Sequence, residues 1–160
     1  MTKEKFPITQ AVRHLRAEKV VFTDHLYAYE DKGGTTVSAR ELRVDEHCVI
    51  KTLVMEDDQG RPLIILMHGN LQVSTKELAR LIRVKQVSPC TADTALKHTG
   101  YLVGGTSPFG IRSRIPVYVE ESILGLERIY INGGKRGYLV GMAPSELGRV
   151  LKPLPVKVGI

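Results

Sequence analysis

The residue in this sequence best placed for chemistry is Lys51, in the segment CVIKTLVM at 48–55. Strand alternation puts Lys51 on one face with Val49 and Leu53, and the opposite face is also largely apolar. A strand that is apolar on both faces is expected to be central and buried. A lysine there must reach solvent, pair with an acid or meet an anionic ligand, and desolvation would lower its pKa. The pattern leaves two interpretations open: a lysine at the strand end that reaches solvent, or one that acts on a substrate.

A second candidate is the segment GYLVGGTSPFG at 100–110, which combines four glycines with apolar residues. Glycines let a ligand lie close to the backbone and leave amides free to donate hydrogen bonds. Thr106 and Ser107 add hydroxyl groups. The structural alternative is a strand that kinks around the core. In either case we expect the apolar side chains to anchor the segment in the core: Tyr101, Leu102, Val103 and Phe109.

A third candidate is the segment NGGKRG at 132–137. Successive glycines in a turn can direct backbone N–H groups into a nest that binds anions, and Lys135 and Arg136 add charge that suits phosphate. The structural alternative is a glycine-rich hairpin turn with two solvated basic residues.

The familiar catalytic and metal-binding motifs are missing from the sequence. It contains no nucleotide P-loop, no Rossmann fingerprint, no G-x-S-x-G and no H-E-x-x-H. Cys48 and Cys90 have neither a C-x-x-C spacing nor a nearby histidine pattern, so the sequence does not predict zinc. We expect them to be small buried hydrophobes in a reducing compartment. The sequence therefore predicts no metal and no cofactor.

Composition predicts one globular domain over residues 1–160, with 42% hydrophobic and 25% charged residues. The chain has 23 basic and 17 acidic side chains, a net charge of +6 that suits a nucleic-acid partner without requiring one. The N-terminus does not resemble a signal peptide, and the longest apolar run, LIILM at 63–67, is too short to span a membrane. We therefore expect a soluble, cytoplasmic protein with no membrane contact.

The elements that must position these segments follow from periodicity and turn signals. Apolar spacing and caps predict five helices: around Ile8, Val12 and Leu15, and at 35–44, 73–82, 88–99 and 143–154. A Ser or Thr cap is expected for the second helix and a Ser74–Glu77 capping box for the third. Strands are predicted at 20–30, 48–56, 62–68, 114–123 and 128–142, the last being a hairpin. Because helices and strands do not alternate regularly, the order predicts an α+β domain with a mixed, largely antiparallel sheet.

Taken in order, VIKTLV, TGYLVGGTSPFG with RIPVYVE, and IYINGGKRG resemble the YbaK/EbsC family of aminoacyl-tRNA deacylases. This family is related to the editing domain inserted in bacterial prolyl-tRNA synthetases. The resemblance extends from about Val20 to Leu151. It implies a barrel-like mixed β-sheet with peripheral helices, and cleavage of the ester of a wrongly charged tRNA, above all Cys-tRNA(Pro).

The resemblance also implies the site residues. Lys51 falls on the family's essential lysine, and Tyr29 is an alternative to Tyr27 as the aromatic near the pocket. Substrate contacts are implied for ten residues: Tyr27, Thr52, Gly104, Gly105, Thr106, Ser107, Pro108, Phe109, Asn132 and Gly133. The chain departs from better-known members at Gly33–Gly34 and at Tyr138–Leu139, which leaves the identity of the amino acid open.

Nothing in the sequence resembles a protein nucleophile. A cysteinyl ester needs none, since its own thiol can attack the carbonyl while Lys51 neutralises charge and loop amides hold the oxygen. For another amino acid, a positioned water would replace the thiol. The expected partners are the 3′ acceptor end of an aminoacyl-tRNA and, by analogy, prolyl-tRNA synthetase. Two other interpretations are a non-catalytic module that binds tRNA or a synthetase, and a general nucleic-acid binder, which the dispersed charge and few aromatics disfavour.

Overall fold

A computed structural model describes residues 5–160 of the chain. Five α-helices occur in this part of the chain: α1 Gln10–Ala17, α2 Gly34–Leu42, α3 Thr75–Ile82, α4 Ala92–Thr99 and α5 Ser145–Leu151. None of the helices in residues 5–160 is long and apolar enough to cross a membrane. Eight strands accompany them: β1 Thr23–Leu26, β2 Val49–Asp57, β3 Pro62–His68, β4 Val87–Pro89, β5 Val117–Glu120, β6 Ile129–Lys135, β7 Tyr138–Met142 and β8 Leu154–Val156.

All eight strands belong to one mixed sheet. Its order is β1-β7-β6-β2-β3-β5-β8, with β4 added beside β2. Four pairings are antiparallel (β1 with β7, β6 with β7, β2 with β3, β2 with β4) and three are parallel (β2 with β6, β3 with β5, β5 with β8). This confirms the predicted α+β class and the mixed sheet. Across residues 5–160 the strand path is open from β1 to β8, so closure into a barrel is not confirmed.

Strand β3 is the centre of the fold because helices cover both of its faces. Ile64 and Leu66 point into a core shared with α1 and α5, whereas Leu63, Ile65 and Met67 point into a second core shared with α3. Side chains alternate between the two faces of a strand, and each buried aliphatic side chain contributes about 1.5–3 kcal/mol. The continuous apolar run in the sequence therefore marks a strand that is buried on both sides.

Local capping chemistry explains where helix α3 begins. The Ser74 hydroxyl accepts a hydrogen bond of 3.2 Å from the backbone N–H of Glu77, which is one half of the predicted capping box. The other half is not formed, because the Ser74 N–H donates to the carbonyl of Val158 and the Glu77 carboxylate pairs with Arg80. The Ser/Thr cap predicted for α2 is wrong, because that helix follows Gly33 and has no side-chain cap. Ile8 lies before α1 and is exposed, so its predicted place in the first helix is also wrong.

Candidate functional site

Strand β2 has a gap along one edge. Its first edge pairs with β3 from Ile50 to Glu56 without interruption. Its other edge pairs with β6 only at residues 49–50 and with β4 only at residues 55–57. Residues 51–54 therefore have no partner strand on that edge within the part of the chain that the structure describes. Backbone groups at such an edge can hydrogen-bond an extended ligand.

A cleft of about 730 Å³ opens at this gap. Its walls come from residues of the segment 27–32, from α2, from the loop at 103–106, and from Asn132 and Arg136 of the β6–β7 hairpin. That volume is within the range of small-molecule sites. A smaller cavity of about 420 Å³ lies elsewhere, beside His14 and Pro108. The larger cleft is the candidate site, because all three segments singled out in the sequence meet there.

Lys51 lies half-buried in the wall of this cleft. Its ammonium group donates a hydrogen bond to the backbone carbonyl of Leu71. Burial lowers the pKa of Lys51, and the nearby Glu46 carboxylate opposes that shift. An ammonium group carries three donors, so two remain for a ligand. A partly dehydrated cation of this kind interacts with an anion more strongly than a solvated one does.

Thr52 carries an unpaired hydroxyl in the same strand. Its Oγ1 is buried and has no hydrogen-bond partner within residues 5–160. A buried polar atom without a partner costs about 1–3 kcal/mol. Such an atom in a cleft wall is suited to bind a ligand that supplies the missing partner.

Thr52→Val is expected to raise the free energy of unfolding by about 1 kcal/mol, because it replaces an unpaired hydroxyl by a methyl group of the same shape. Urea unfolding measures the change. Thr52→Ser is the matched control, since it keeps the hydroxyl, deletes the methyl group and should destabilise. A destabilised Thr52→Val protein would show that the hydroxyl already has a partner in the free protein.

The loop at 103–106 is docked onto the β6–β7 hairpin. Gly104 has a backbone φ of +89°, and a Cβ atom there would lie 2.6 Å from the Tyr29 hydroxyl oxygen. The Asn132 amide nitrogen donates to the carbonyl of Gly104 at 2.8 Å. The Arg136 guanidinium donates to the carbonyl of Val103, also at 2.8 Å. The two glycine-rich segments predicted separately therefore form one continuous wall of the cleft.

Asn132 and Arg136, the two hairpin residues that hold the loop, make further contacts of their own. The Asn132 side-chain oxygen accepts a hydrogen bond of 2.7 Å from the N–H of Gly134, so both ends of that amide are engaged. The Arg136 guanidinium lies 5.3 Å from the centre of the Tyr29 ring, in cation–π contact. Arg136 therefore holds the glycine loop in place through these two contacts. It is not only a solvated charge, as the alternative of a simple hairpin turn predicted.

Six of the eleven predicted site residues line the cleft: Tyr27, Lys51, Thr52, Gly104, Thr106 and Asn132. Tyr29, the alternative to Tyr27, lines it as well. Five predicted site residues do not line the cleft: Gly105, Ser107, Pro108, Phe109 and Gly133. All five are buried, so their side chains and backbone support the wall from behind. The Ser107 hydroxyl, for example, accepts from the backbone N–H of Phe109 at 3.2 Å.

The anchoring of the glycine loop differs from the prediction. Tyr101 and Phe109 are buried, and the Tyr101 hydroxyl donates to the carbonyl of Phe109 at 2.6 Å. Leu102 and Val103 are 56% and 49% exposed, so the prediction that they anchor the loop is wrong. Residues 102–104 bulge outward, and Val103 forms an apolar part of the cleft mouth.

Sequence reasoning missed the contribution of α2 to the cleft. This helix supplies four lining residues: Gly34, Thr35, Val37 and Ser38. The sequence predicted a helix at 35–44, but it carries no signal for what that helix covers. At the two departures from the family pattern, Gly34 and Leu139 line the cleft, whereas Gly33 and Tyr138 do not.

Neither cysteine is poised as a nucleophile. Burial and the Glu56 carboxylate raise the pKa of the Cys90 thiol to about 11. Burial and Asp45 also raise the pKa of the Cys48 thiol. Only the thiolate is strongly nucleophilic, so both groups are inert near neutral pH. The absence of an activated thiol agrees with chemistry that draws its nucleophile from the substrate or from water.

Similarity to known protein sequences extends over most of the chain. Residues 31–150 match the family model described as the aminoacyl-tRNA editing domain. EbsC of Enterococcus faecalis, whose name describes it as a candidate Cys-tRNA(Pro)/Cys-tRNA(Cys) deacylase, is 29% identical over 87% of this chain and 85% of its own length. The proline–tRNA ligase of Elusimicrobium minutum is 25% identical over 90% of this chain, which spans only 24% of that ligase.

Solved structures share the fold. A candidate trans-editing enzyme for prolyl-tRNA synthetase superimposes with a TM-score of 0.82 at 19% identity, covering 94% of this chain and 95% of the other. A hypothetical protein superimposes with a TM-score of 0.86 at 21% identity, covering 94% of this chain and 99% of the other. The arrangement of strands and helices described above is therefore that of a known fold.

Proposed function

Because the chain belongs to the aminoacyl-tRNA editing domain family, we propose that it is a trans-editing deacylase whose substrate is Cys-tRNA(Pro). The observation that carries the proposal is the position of Lys51, which lines a cleft formed where β2 loses its partner strand. The name of the EbsC relative supports the choice of cysteine and includes tRNA(Pro) as one of two tRNAs.

Lys51 acts as an electrostatic group in this proposal. The tRNA 3′ end brings phosphate charge into the cleft, and attack on the ester carbonyl develops a further negative charge on oxygen. A preorganised donor aimed at such an oxyanion typically contributes 10²–10³-fold, about 2.7–4 kcal/mol. The Leu71 carbonyl holds the ammonium in place before substrate arrives, so little reorganisation is needed.

The glycine loop holds the aminoacyl end against its backbone. Gly104 lies on the Tyr29 ring edge without a side chain, which keeps the cleft wall open to the ligand. The Gly104 carbonyl is fixed by Asn132, so the loop amides keep a constant direction. The exposed apolar side chain of Val103 offers a surface to the terminal base at the mouth of the cleft.

The substrate supplies the nucleophile. The cysteinyl thiol loses its proton, and its sulfur attacks the ester carbonyl. The carbon–oxygen bond to the ribose then breaks, and the ribose hydroxyl leaves with a proton, which yields free tRNA and a cysteine thiolactone that water can open. No protein thiol takes part, in agreement with the raised pKa of Cys90.

A second candidate is a deacylase for another amino acid that uses a bound water. It is favoured by Gly34 and Leu139, which line the cleft at the positions where this chain departs from better-known family members. A protein that only binds tRNA or prolyl-tRNA synthetase is the non-catalytic alternative. For both deacylases the partner is the 3′ acceptor end of an aminoacyl-tRNA.

A panel of tRNA(Pro) charged with cysteine, alanine or serine separates these candidates. We expect cysteine to be released fast and alanine to be released no faster than without protein, because alanine lacks the attacking sulfur. The measurement is single-turnover release of labelled amino acid. Fast release of alanine or serine would show that water, and not the substrate thiol, is the nucleophile. Release of no amino acid would show that the protein is the non-catalytic binding module.

A further inference from the structure

Three potential metal ligands converge at the far end of the cleft. They are the Glu56 carboxylate near the end of β2, the Cys90 thiol just after β4 and the His98 imidazole in the last turn of α4, and their ligand atoms all lie within 4.8 Å of one another. We propose that these three side chains form a Zn²⁺ site. The site is separate from the deacylation chemistry above and does not depend on it.

Strand pairing and a helix cap fix the positions of the segments that carry the three side chains. Strand β4 pairs with β2 so that Glu56 lies opposite Ser88, and the Cys90 N–H extends this pairing by donating to the carbonyl of Val54 at 3.1 Å. Helix α4 then begins at once, capped by Thr91, whose hydroxyl accepts from the N–H of Thr94 at 3.2 Å. The helix therefore starts from a fixed point beside β2.

Helix α4 also packs in a way that directs His98 at the other two ligands. Ala95 is buried in the same core cluster as Val54, and Cys90 packs against that cluster. His98 lies three residues after Ala95, hence on the same face of the helix. The imidazole is thus placed over the end of β2 by ordinary core packing.

Within this cluster the Cys90 thiol is paired with the Glu56 carboxylate, whereas the His98 imidazole nitrogen is unpaired in the part of the chain that the structure describes. His98 Nε2 lies 3.7 Å from the nearer Glu56 carboxylate oxygen, which is too long for a hydrogen bond. The same nitrogen is buried and has no hydrogen-bond partner within residues 5–160. Around a tetrahedral zinc ion, neighbouring nitrogen and oxygen ligands are separated by roughly 3.3–3.5 Å, slightly less than the separation observed here. One ion between the three groups would satisfy the nitrogen after a small closing movement of the two side chains.

The donor set is the one that zinc prefers. Thiolate, neutral imidazole and carboxylate all bind Zn²⁺, and a site with three protein ligands keeps water in the fourth position. On binding, the Cys90 thiol gives its proton to solvent and its sulfur coordinates the ion. The His98 and Glu56 side chains are 22% and 28% exposed, which leaves an entry path. A bound ion would clamp α4 onto β2 beside the cleft.

Cobalt titration of the full-length protein tests the site, because a thiolate bound to Co²⁺ gives a charge-transfer band and tetrahedral Co²⁺ gives intense visible bands. We expect one equivalent to bind, Zn²⁺ to displace it, and the melting temperature to rise with Zn²⁺. Cys90→Ser should abolish the charge-transfer band. Cys90→Ser and His98→Asn should each weaken zinc binding more than about 100-fold, beyond the 10–100-fold typical of losing an outer hydrogen-bond partner.

Cys48→Ser is the matched control, since it removes the other thiol and leaves the three ligands intact. It should bind Zn²⁺ and Co²⁺ as the unmodified protein does. If Cys90→Ser or His98→Asn fails to fold by circular dichroism, Glu56→Gln serves as the ligand variant. Absence of stoichiometric zinc binding, or equal binding by Cys48→Ser and Cys90→Ser, would show a metal-free side-chain cluster and overturn the proposal.

Discussion

Lys51→Met is expected to slow single-turnover deacylation of Cys-tRNA(Pro) by about 10²–10³-fold, the usual cost of removing one oxyanion donor. The fold should survive the change. Methionine fills the same space between Val49 and Leu53, and the protein no longer has to hold a partly dehydrated ammonium group. The lost hydrogen bond to Leu71 involves a carbonyl next to the cleft, where water can replace the donor.

The free energy of unfolding of Lys51→Met should therefore stay within about 1 kcal/mol of the original value. Lys76→Met, on the exposed side of α3, is the matched control and should keep the full rate. If Lys51→Met deacylates at the original rate, Lys51 takes no part in the chemistry and has only a structural role.

Gly104→Ala is expected to lower both the stability and the deacylation rate. At φ +89° an alanine is strained, and such backbone strain costs about 1–3 kcal/mol. In addition, the new Cβ would lie 2.6 Å from the Tyr29 hydroxyl oxygen, so the ring or the loop must shift. A shift of this kind moves the cleft wall, and a displacement of about 1 Å can cost 10²-fold in rate.

Gly100→Ala separates the two effects. Gly100 has a similar φ of +81°, but a Cβ atom there would meet nothing within 4 Å. It should lose a similar amount of stability from backbone strain and keep nearly all of the deacylation rate. Adding Tyr29→Phe to Gly104→Ala removes the closest clashing atom and should restore part of the activity. If Gly104→Ala and Gly100→Ala deacylate equally well, the loop does not form the substrate wall.

Local sequence signals predicted most of the fold because most helices and strands carry their own apolar periodicity and capping residues. The Ser74–Glu77 capping box and the apolar run of β3 each mark one element, and the structure contains both. The two three-residue strands β4 and β8 were missed, since so short a segment has no periodicity and exists only through its pairing with a longer neighbour.

The site was predicted less completely because it depends on tertiary contacts. Lys51 stood out as a charge in an apolar strand, and the structure places it in the cleft. The break in pairing along β2 leaves no trace in the sequence, since it arises where β6 and β4 diverge. The approach of Glu56 to Cys90 and His98 is equally invisible, because Glu56 is far from the other two residues in the chain.

Release of labelled amino acid from tRNA(Pro) charged with cysteine and, in parallel, with proline tests whether the protein is a deacylase for Cys-tRNA(Pro). The protein is present in excess, so each reaction is a single turnover. We expect cysteine to be released much faster than from Cys-tRNA(Pro) alone, while Pro-tRNA(Pro) remains intact. Release of cysteine at the rate of the protein-free sample, or equal release of both amino acids, would contradict that function.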